Sequence, residues 1–171
     1  VWTDGTSDTV VAAGARPAGN YTARVRSFTH ETAPSATAVY TWTGIRRGTY
    51  LYSSSTNPAV QVQMGLYGCL VANAAAMQAY NDASTVYEKE LILIFSEVDP
   101  AIHQAVVAGT YGPGGTITSM VNYQPRYFLI NGKAYPDLSL IPLNASTPIN
   151  SGEKVLLRIV NAGLHTHVPL M

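Results

Sequence analysis

The alternation of apolar and polar residues predicts antiparallel β-structure over most of the chain. In residues 21–28, apolar side chains at Tyr21, Ala23 and Val25 alternate with polar ones, as in a strand with one buried and one wet face. Glycine and proline separate such segments at regular intervals, which favours antiparallel strands over alternating strands and helices. The pattern predicts strands at 21–28, 36–43, 49–54, 59–72, 90–97, 126–136 and 154–161.

Three of these strands carry additional signals. In 59–72, Val60, Val62 and Met64 recur at every second position, which predicts that Met64 lies in the core. Residues 90–97 form a nearly continuous apolar run, as expected for a strand buried between two layers. Within 126–136, the Asn131-Gly132 pair predicts a tight hairpin turn.

Two short helices are predicted. Residues 100–108 follow Asp99, a good N-cap, begin with Pro100 and end before Gly109, which together indicate a helix with defined ends. Residues 74–80 have helical propensity but lack a cap and an apolar stripe.

Composition narrows the class of protein. Ten basic and ten acidic residues cancel, and only 12% of residues are charged, so no electrostatic footprint for nucleic acid is present. No apolar run approaches the roughly 20 residues that cross a bilayer. Low charge and two sequons, at Asn20 and Asn144, favour an exported protein that is periplasmic, at the cell surface or extracellular.

Several segments resemble the cupredoxin domains of multicopper oxidases, in family order along the chain. They are Ser27-Phe-Thr-His-Glu31, Tyr40-Thr-Trp42, Gly48-Thr-Tyr-Leu-Tyr52, Gln63-Met-Gly-Leu-Tyr-Gly68, Phe128-Leu-Ile-Asn-Gly-Lys133 and Val155 to Pro169. The resemblance spans most of residues 20–171. It implies an all-β, Greek-key cupredoxin sandwich, with the later half of one domain at 1–73, an interdomain connection at 74–89 and the first half of a second domain at 90–171.

The resemblance also implies that neither sandwich is complete in this chain. Residues 2–5 resemble the loop that follows the family's first His-x-His pair, which would lie upstream of Val1. Because a cupredoxin sandwich closes its core with strands from both ends of the domain, two half-domains would expose apolar faces and strand edges. We therefore expect other parts of the same polypeptide, or neighbouring copies, to cover these faces.

Copper is the cofactor that the resemblance implies, and the turn after Tyr52 carries copper-binding histidines in the family. The matching positions here are Ser53 and Ser55, or Ser53 and Asn57 in a longer variant of the motif. Neutral hydroxyl and amide groups are poor copper ligands compared with imidazoles. We expect no copper within bonding distance of this turn.

His165 and His167 form a His-x-His motif, whose spacing would let both rings coordinate one metal ion. The resemblance places His167 in a family turn, Thr166-His-Val-Pro169, so a metal site and a structural, hydrogen-bonding role both stay open. Cys69 is the single cysteine, and we interpret it as a small buried hydrophobe. His30 and His103 are isolated along the sequence and are expected to be ordinary loop or surface histidines.

Two functions are consistent with these observations. The first is a segment of a multicopper-oxidase-like protein, a copper-dependent oxidoreductase when intact, in which the copper-ligand turn of this segment is degenerate. The alternative is a copper-free cupredoxin-fold module with a structural or assembly role. The chain has no nucleophile-elbow, P-loop or dinucleotide-binding motif.

Overall fold

The computed structural model describes residues 10–12, 23–25, 35–37, 39, 44–54, 57–137 and 149–169. Most of their regular structure is β. The strands are β1 (Val10–Ala12), β2 (Ala23–Val25), β3 (Gly48–Ser53), β4 (Tyr67–Ala72), β5 (Lys89–Val98), β6 (Tyr127–Ile130), β7 (Lys133–Ala134) and β8 (Val155–Asn161). The helices are α1 (Pro58–Gln61) and α2 (Pro100–Val107), with single 3-10 turns at Ala83–Thr85 and Met120–Asn122.

The chain forms two compact units, Val1–Ile45 and Arg46–Met171. In the first unit β1 pairs with β2 in antiparallel fashion, so part of the predicted strand 21–28 is confirmed. The predicted strand 36–43 falls mostly outside the described residues, as do His30, Ser55 and both sequon asparagines. The predicted division of the chain at 1–73, 74–89 and 90–171 stays a prediction.

The second unit contains two sheets. Antiparallel β3 and β4 form one, and the other has the order β7-β6-β5-β8. The predicted Asn-Gly hairpin is confirmed as β6 and β7, and β6 runs antiparallel to β5. The expectation of antiparallel pairing is wrong for β5 and β8, which are parallel. The long connection between them makes a parallel return possible, and β6 already occupies the other edge of β5.

The prediction of one strand over 59–72 is wrong in its first half. Asn57 and Pro58 begin the short helix α1, with Pro58 in the first helical turn, where its missing N–H costs nothing. β4 starts only at Tyr67, opposite Ser53 of β3. Apolar residues in so short a stretch fit a helical turn as well as a strand, and Met64 is half-buried rather than in a core.

Of the two predicted helices, one is present. Asp99 Oδ1 accepts a hydrogen bond from the Ala101 amide and caps α2 as expected. Residues 74–80 instead form turns, with a bridge between Ala75 and Gln78 and a positive φ of 56° at Met77. A helix without a cap or an apolar face has little to stabilise it.

Arg158 joins the two sheets of the second unit. It lies on β8, is 5% exposed, and its Nε atom is 2.6 Å from Glu90 Oε1 on β5. Its Nη1 atom donates to Thr49 on β3 and its Nη2 atom to Asn73, which follows β4. Burial opposes the charge, but hydrogen bonds and charge interactions with Glu90 and Tyr87 together outweigh it, so the pKa of Arg158 is raised. The guanidinium group therefore links the mixed sheet, through Glu90, to the sheet of β3 and β4, through Thr49 and Asn73.

Large apolar side chains remain exposed in this unit. Among the described residues, the buried hydrophobic side chains are Ala79, Tyr87, Ile102, Ala105 and Ala162. Large exposed ones include Tyr127, Phe128, Ile159, Leu164 and Val168. Single exposed apolar side chains are common on protein surfaces, and only a large contiguous apolar patch indicates an interaction site.

Candidate functional site

A buried carboxylate organises the end of β5. Glu97 is 3% exposed, and its two oxygens accept four hydrogen bonds. The donors are the backbone amides of Leu164 (2.9 Å) and His165 (3.1 Å), the Nε2 atom of His167 (2.8 Å) and the Tyr123 hydroxyl (3.2 Å). A buried charge with this many donors is fully compensated. Glu97 thus fixes the turn 163–167, which follows β8.

The sequence around Gly163 shapes this turn to fit Glu97. Asn161 ends β8 and its side chain forms two hydrogen bonds with the turn. Its Oδ1 atom accepts from the Gly163 amide, and its Nδ2 atom donates to the His165 carbonyl. A Cβ atom at position 163 would collide with the Glu97 carboxylate. Only glycine lets the backbone approach the carboxylate so closely.

The two histidines of the turn pack among aromatic rings. His167 stacks on Phe95 of β5 with ring centroids 5.0 Å apart and an interplanar angle of 14°. His165 lies 5.8 Å from Tyr123 and 6.1 Å from Phe128, centroid to centroid. The Phe95 ring and Glu97 orient the imidazole of His167, whereas Tyr123 and Phe128 are the aromatic neighbours of the His165 ring.

Charge and burial shift two pKa values at this site. Burial alone would raise the pKa of Glu97, but hydrogen bonds from Leu164, His167, His165 and Tyr123 outweigh it and lower that pKa. For Tyr123, burial and the adjacent negative charge of Glu97 both raise the pKa well above its ordinary value. The stable state is therefore an ionised Glu97 facing a neutral Tyr123.

For the predicted metal ligands, the structure shows a hydrogen-bonding role for His167. Its Nε2 atom is engaged by Glu97. Within the described part of the chain, no group of three or more His, Cys, Asp or Glu side chains is arranged to hold a metal ion. Metal binding by His165 and His167 stays a prediction.

The degenerate turn that follows β3 does not fit copper. Ser53 is exposed at the end of the strand, and the Ser54 hydroxyl donates to Gln61 Oε1 at 2.8 Å. The same oxygen accepts from the Asn57 amide at 2.9 Å. The side chains at these positions offer hydroxyl and amide groups, which lack the imidazole or thiolate donors that copper prefers.

A cleft of about 860 Å³ lies between β4 and β5 and includes Gln63, Cys69 and His103 in its lining. Cys69 is half-buried there rather than enclosed in a core, and burial raises the pKa of its thiol. His103 is not an ordinary surface residue, because its Nε2 atom lies 3.0 Å from the Gln63 carbonyl oxygen. The cleft interior is mostly apolar, with Ile92 and Ile94 on the β5 side.

Sequence reasoning did not identify Glu97, Tyr123 and Gly163 as partners of the histidines. They lie on three separate segments, so no local spacing links them. One signal was present: Ser96 and Glu97 follow the apolar run of β5 within the same predicted strand. An acidic residue in a buried strand requires nearby donors.

Comparisons with protein-family models, curated proteins and solved structures found no match to this chain. Among the described residues, no helix has the length and hydropathy that crossing a bilayer requires. The case for a function therefore rests on the residues and their geometry.

Proposed function

We propose that this chain is part of a multicopper-oxidase-like protein, a copper-dependent oxidoreductase when intact, and that these residues supply cupredoxin framework rather than copper ligands. One observation carries the proposal. Segments that resemble the family separately along the sequence come together around a single strand, β5.

The two edges of β5 receive two of these segments. The Phe128–Lys133 segment forms the β6 and β7 hairpin on one edge, and the Val155–Pro169 segment supplies β8 on the other. Glu97 of β5 then binds the turn that contains His167. Segments that belong to one family domain are expected to be neighbours in space, and this arrangement supports a cupredoxin-like sandwich with Greek-key connections.

The alternative, a copper-free module with a structural or assembly role, has its own support. The turn from Ser53 to Asn57 is the position where the family resemblance implies histidines. Here Gln61 Oε1 accepts hydrogen bonds from both the Ser54 hydroxyl and the Asn57 amide. These hydrogen bonds stabilise the turn without copper.

The exposed apolar side chains support the proposal that further protein packs against this unit. Phe128, beside the turn that Glu97 binds, is 51% exposed, and Leu164, within that turn, is 62% exposed. We propose that other parts of the same polypeptide, or neighbouring copies, cover these residues. Low charge and the two sequons support an exported location.

Metal analysis of the intact protein, with an absorbance scan for a blue-copper band and an assay of oxygen uptake with a reducing substrate, tests the proposal. We expect bound copper and oxidase activity. Copper-free, inactive protein would reject the oxidoreductase and favour the structural module.

A matched pair of variants tests the role of this segment within the intact protein. Ser53→Ala removes the hydroxyl at the degenerate position and should leave the copper content unchanged. Ser54→Ala removes a hydroxyl that donates to Gln61 and serves as the control. Copper loss specific to Ser53→Ala would show that the turn does hold the metal.

A further inference from the structure

We propose that the cleft between β4 and β5 binds an uncharged, largely aliphatic molecule that carries a hydroxyl group, and that Gln63 Oε1 accepts the hydrogen bond from that hydroxyl. Binding at this cleft requires no copper, so the proposal does not rest on the oxidoreductase function.

The size and lining of the cleft fit a small organic molecule. Its volume is about 860 Å³, within the range of roughly 300–1,000 Å³ that is usual for small-molecule sites in proteins. The apolar side chains in its lining include Met64, Ile92, Ile94 and Leu129. An aliphatic chain that packs against these side chains removes apolar surface of both partners from water, which favours binding.

Gln63 provides a hydrogen-bond acceptor in this apolar lining. The residue is 7% exposed, and its Oε1 atom is buried without a hydrogen-bond partner among the described residues. Such atoms are uncommon in native proteins, because a buried polar atom without a partner lowers stability. A ligand hydroxyl that donates to this oxygen would supply the partner.

The neighbours of Gln63 fix the position and the direction of its amide. His103 Nε2 lies 3.0 Å from the Gln63 carbonyl oxygen, and a carbonyl oxygen can only accept, so Nε2 donates. The Tyr123 hydroxyl donates its one hydrogen to Glu97. The hydrogen bond between the side chains of Gln63 and Tyr123 is therefore donated by the Gln63 amide nitrogen. The nitrogen binds within the protein, and the oxygen is left to accept from a ligand.

The charged groups of the cleft already have partners, which favours an uncharged ligand. Glu90 forms an ion pair with Arg158, and Glu97 accepts four hydrogen bonds. The described residues that line the cleft include no lysine or arginine. A charged group on the ligand would be buried without a partner here, which disfavours binding.

Two isomeric ligands test the requirement for a hydroxyl group. Decanol carries a donor, whereas nonyl methyl ether has the same formula and an oxygen that can only accept. Calorimetric titration of the intact protein should show saturable binding of both, with decanol bound about fivefold more tightly, the size expected for one hydrogen bond. The absence of saturable decanol binding would overturn the proposal, and so would equal affinities for the two ligands.

Gln63→Met removes the accepting oxygen and keeps a side chain of similar volume. We expect the preference for decanol to disappear in this variant, because neither ligand then finds an acceptor, whereas the affinity for the ether should stay the same. A preference for decanol that persists in Gln63→Met would contradict the role of Gln63 Oε1.

A matched pair of isoleucine variants locates the site. Ile92→Phe introduces a larger side chain into the cleft and should weaken decanol binding by at least about tenfold, the size expected for overpacking. Ile159→Phe is the control and should bind decanol normally, because Ile159 is 43% exposed on β8 and lies outside the cleft lining. Met64→Phe narrows the cleft from another segment and provides the same test if Ile92→Phe does not fold. Unchanged decanol binding in the cleft variants would place the ligand elsewhere and overturn the proposal.

Discussion

Arg158 on β8 and Glu90 on β5 form an ion pair in which Nε and Oε1 are 2.6 Å apart, across 68 residues of sequence. The remaining guanidinium nitrogens bind Thr49 and Asn73. Arg158 thereby links the sheet that contains β3 and β4 to the mixed sheet, and the Tyr67 hydroxyl of β4, which donates to Ser96 of β5, links the same two sheets. A buried charge that loses its partner lowers the stability of the folded state strongly. We therefore expect the second unit to be most sensitive to substitution at this pair.

Replacing Arg158 with methionine should lower the free energy of unfolding by about 3 kcal/mol. The methionine fills similar volume but removes the guanidinium donors of Glu90, Thr49 and Asn73, which leaves Glu90 with its hydrogen bond from the Tyr87 hydroxyl but no ion pair. Urea unfolding of the intact protein measures the change, and Arg126→Met, at an exposed position, is the control. A loss no larger than that of the control would mean that the ion pair does not hold the sheets together.

Gly163→Ala should destabilise the protein by about 1–3 kcal/mol, the usual cost of overpacking. Its methyl group would collide with the Glu97 carboxylate. The same substitution made in a Glu97→Ala background should cost much less, because the obstructing group is gone. A double-mutant cycle of unfolding free energies measures this coupling, and additive effects would place the origin of the cost elsewhere.

Alkaline pH should lower the free energy of unfolding through the ionisation of Tyr123. Its pKa is raised in the folded state by burial and by Glu97, so the stabilisation is complete below the ordinary tyrosine pKa of about 10. This stabilisation decreases as the pH rises from the ordinary tyrosine pKa towards the higher pKa of Tyr123 in the folded protein. Tyr123→Phe should flatten the stability profile above pH 10, measured by urea unfolding at several pH values. A wild-type slope that persists in the variant would assign the effect to other tyrosines.

Asp99→Ala should cost about 2 kcal/mol, since one carboxylate oxygen caps α2 at Ala101 and the other accepts from the Gln124 amide. Asp82→Ala, which removes an exposed cap of the 3-10 turn at Ala83–Thr85, should have a smaller effect. Thermal unfolding compares the two. Equal losses would show that the second contact of Asp99 contributes nothing.

Local signals in the sequence predicted the elements that local chemistry determines. Asp99 and Pro100 start α2, and Asn131-Gly132 turns the hairpin, because caps and turns depend on neighbouring residues. The parallel pairing of β5 with β8 was missed, since alternation along a strand carries no information about the direction of its partner. Glu97 was missed for a related reason: its donors come from distant segments.

The parallel pairing of β5 and β8 has a consequence for how the polypeptide forms during synthesis. β5 leaves the ribosome well before β8, so one of its edges stays unpaired while the intervening residues are made. The β6 and β7 hairpin can occupy the other edge first. Since contacts distant in sequence form slowly and open apolar strands aggregate, interruption of translation before Val155 should yield an insoluble nascent chain.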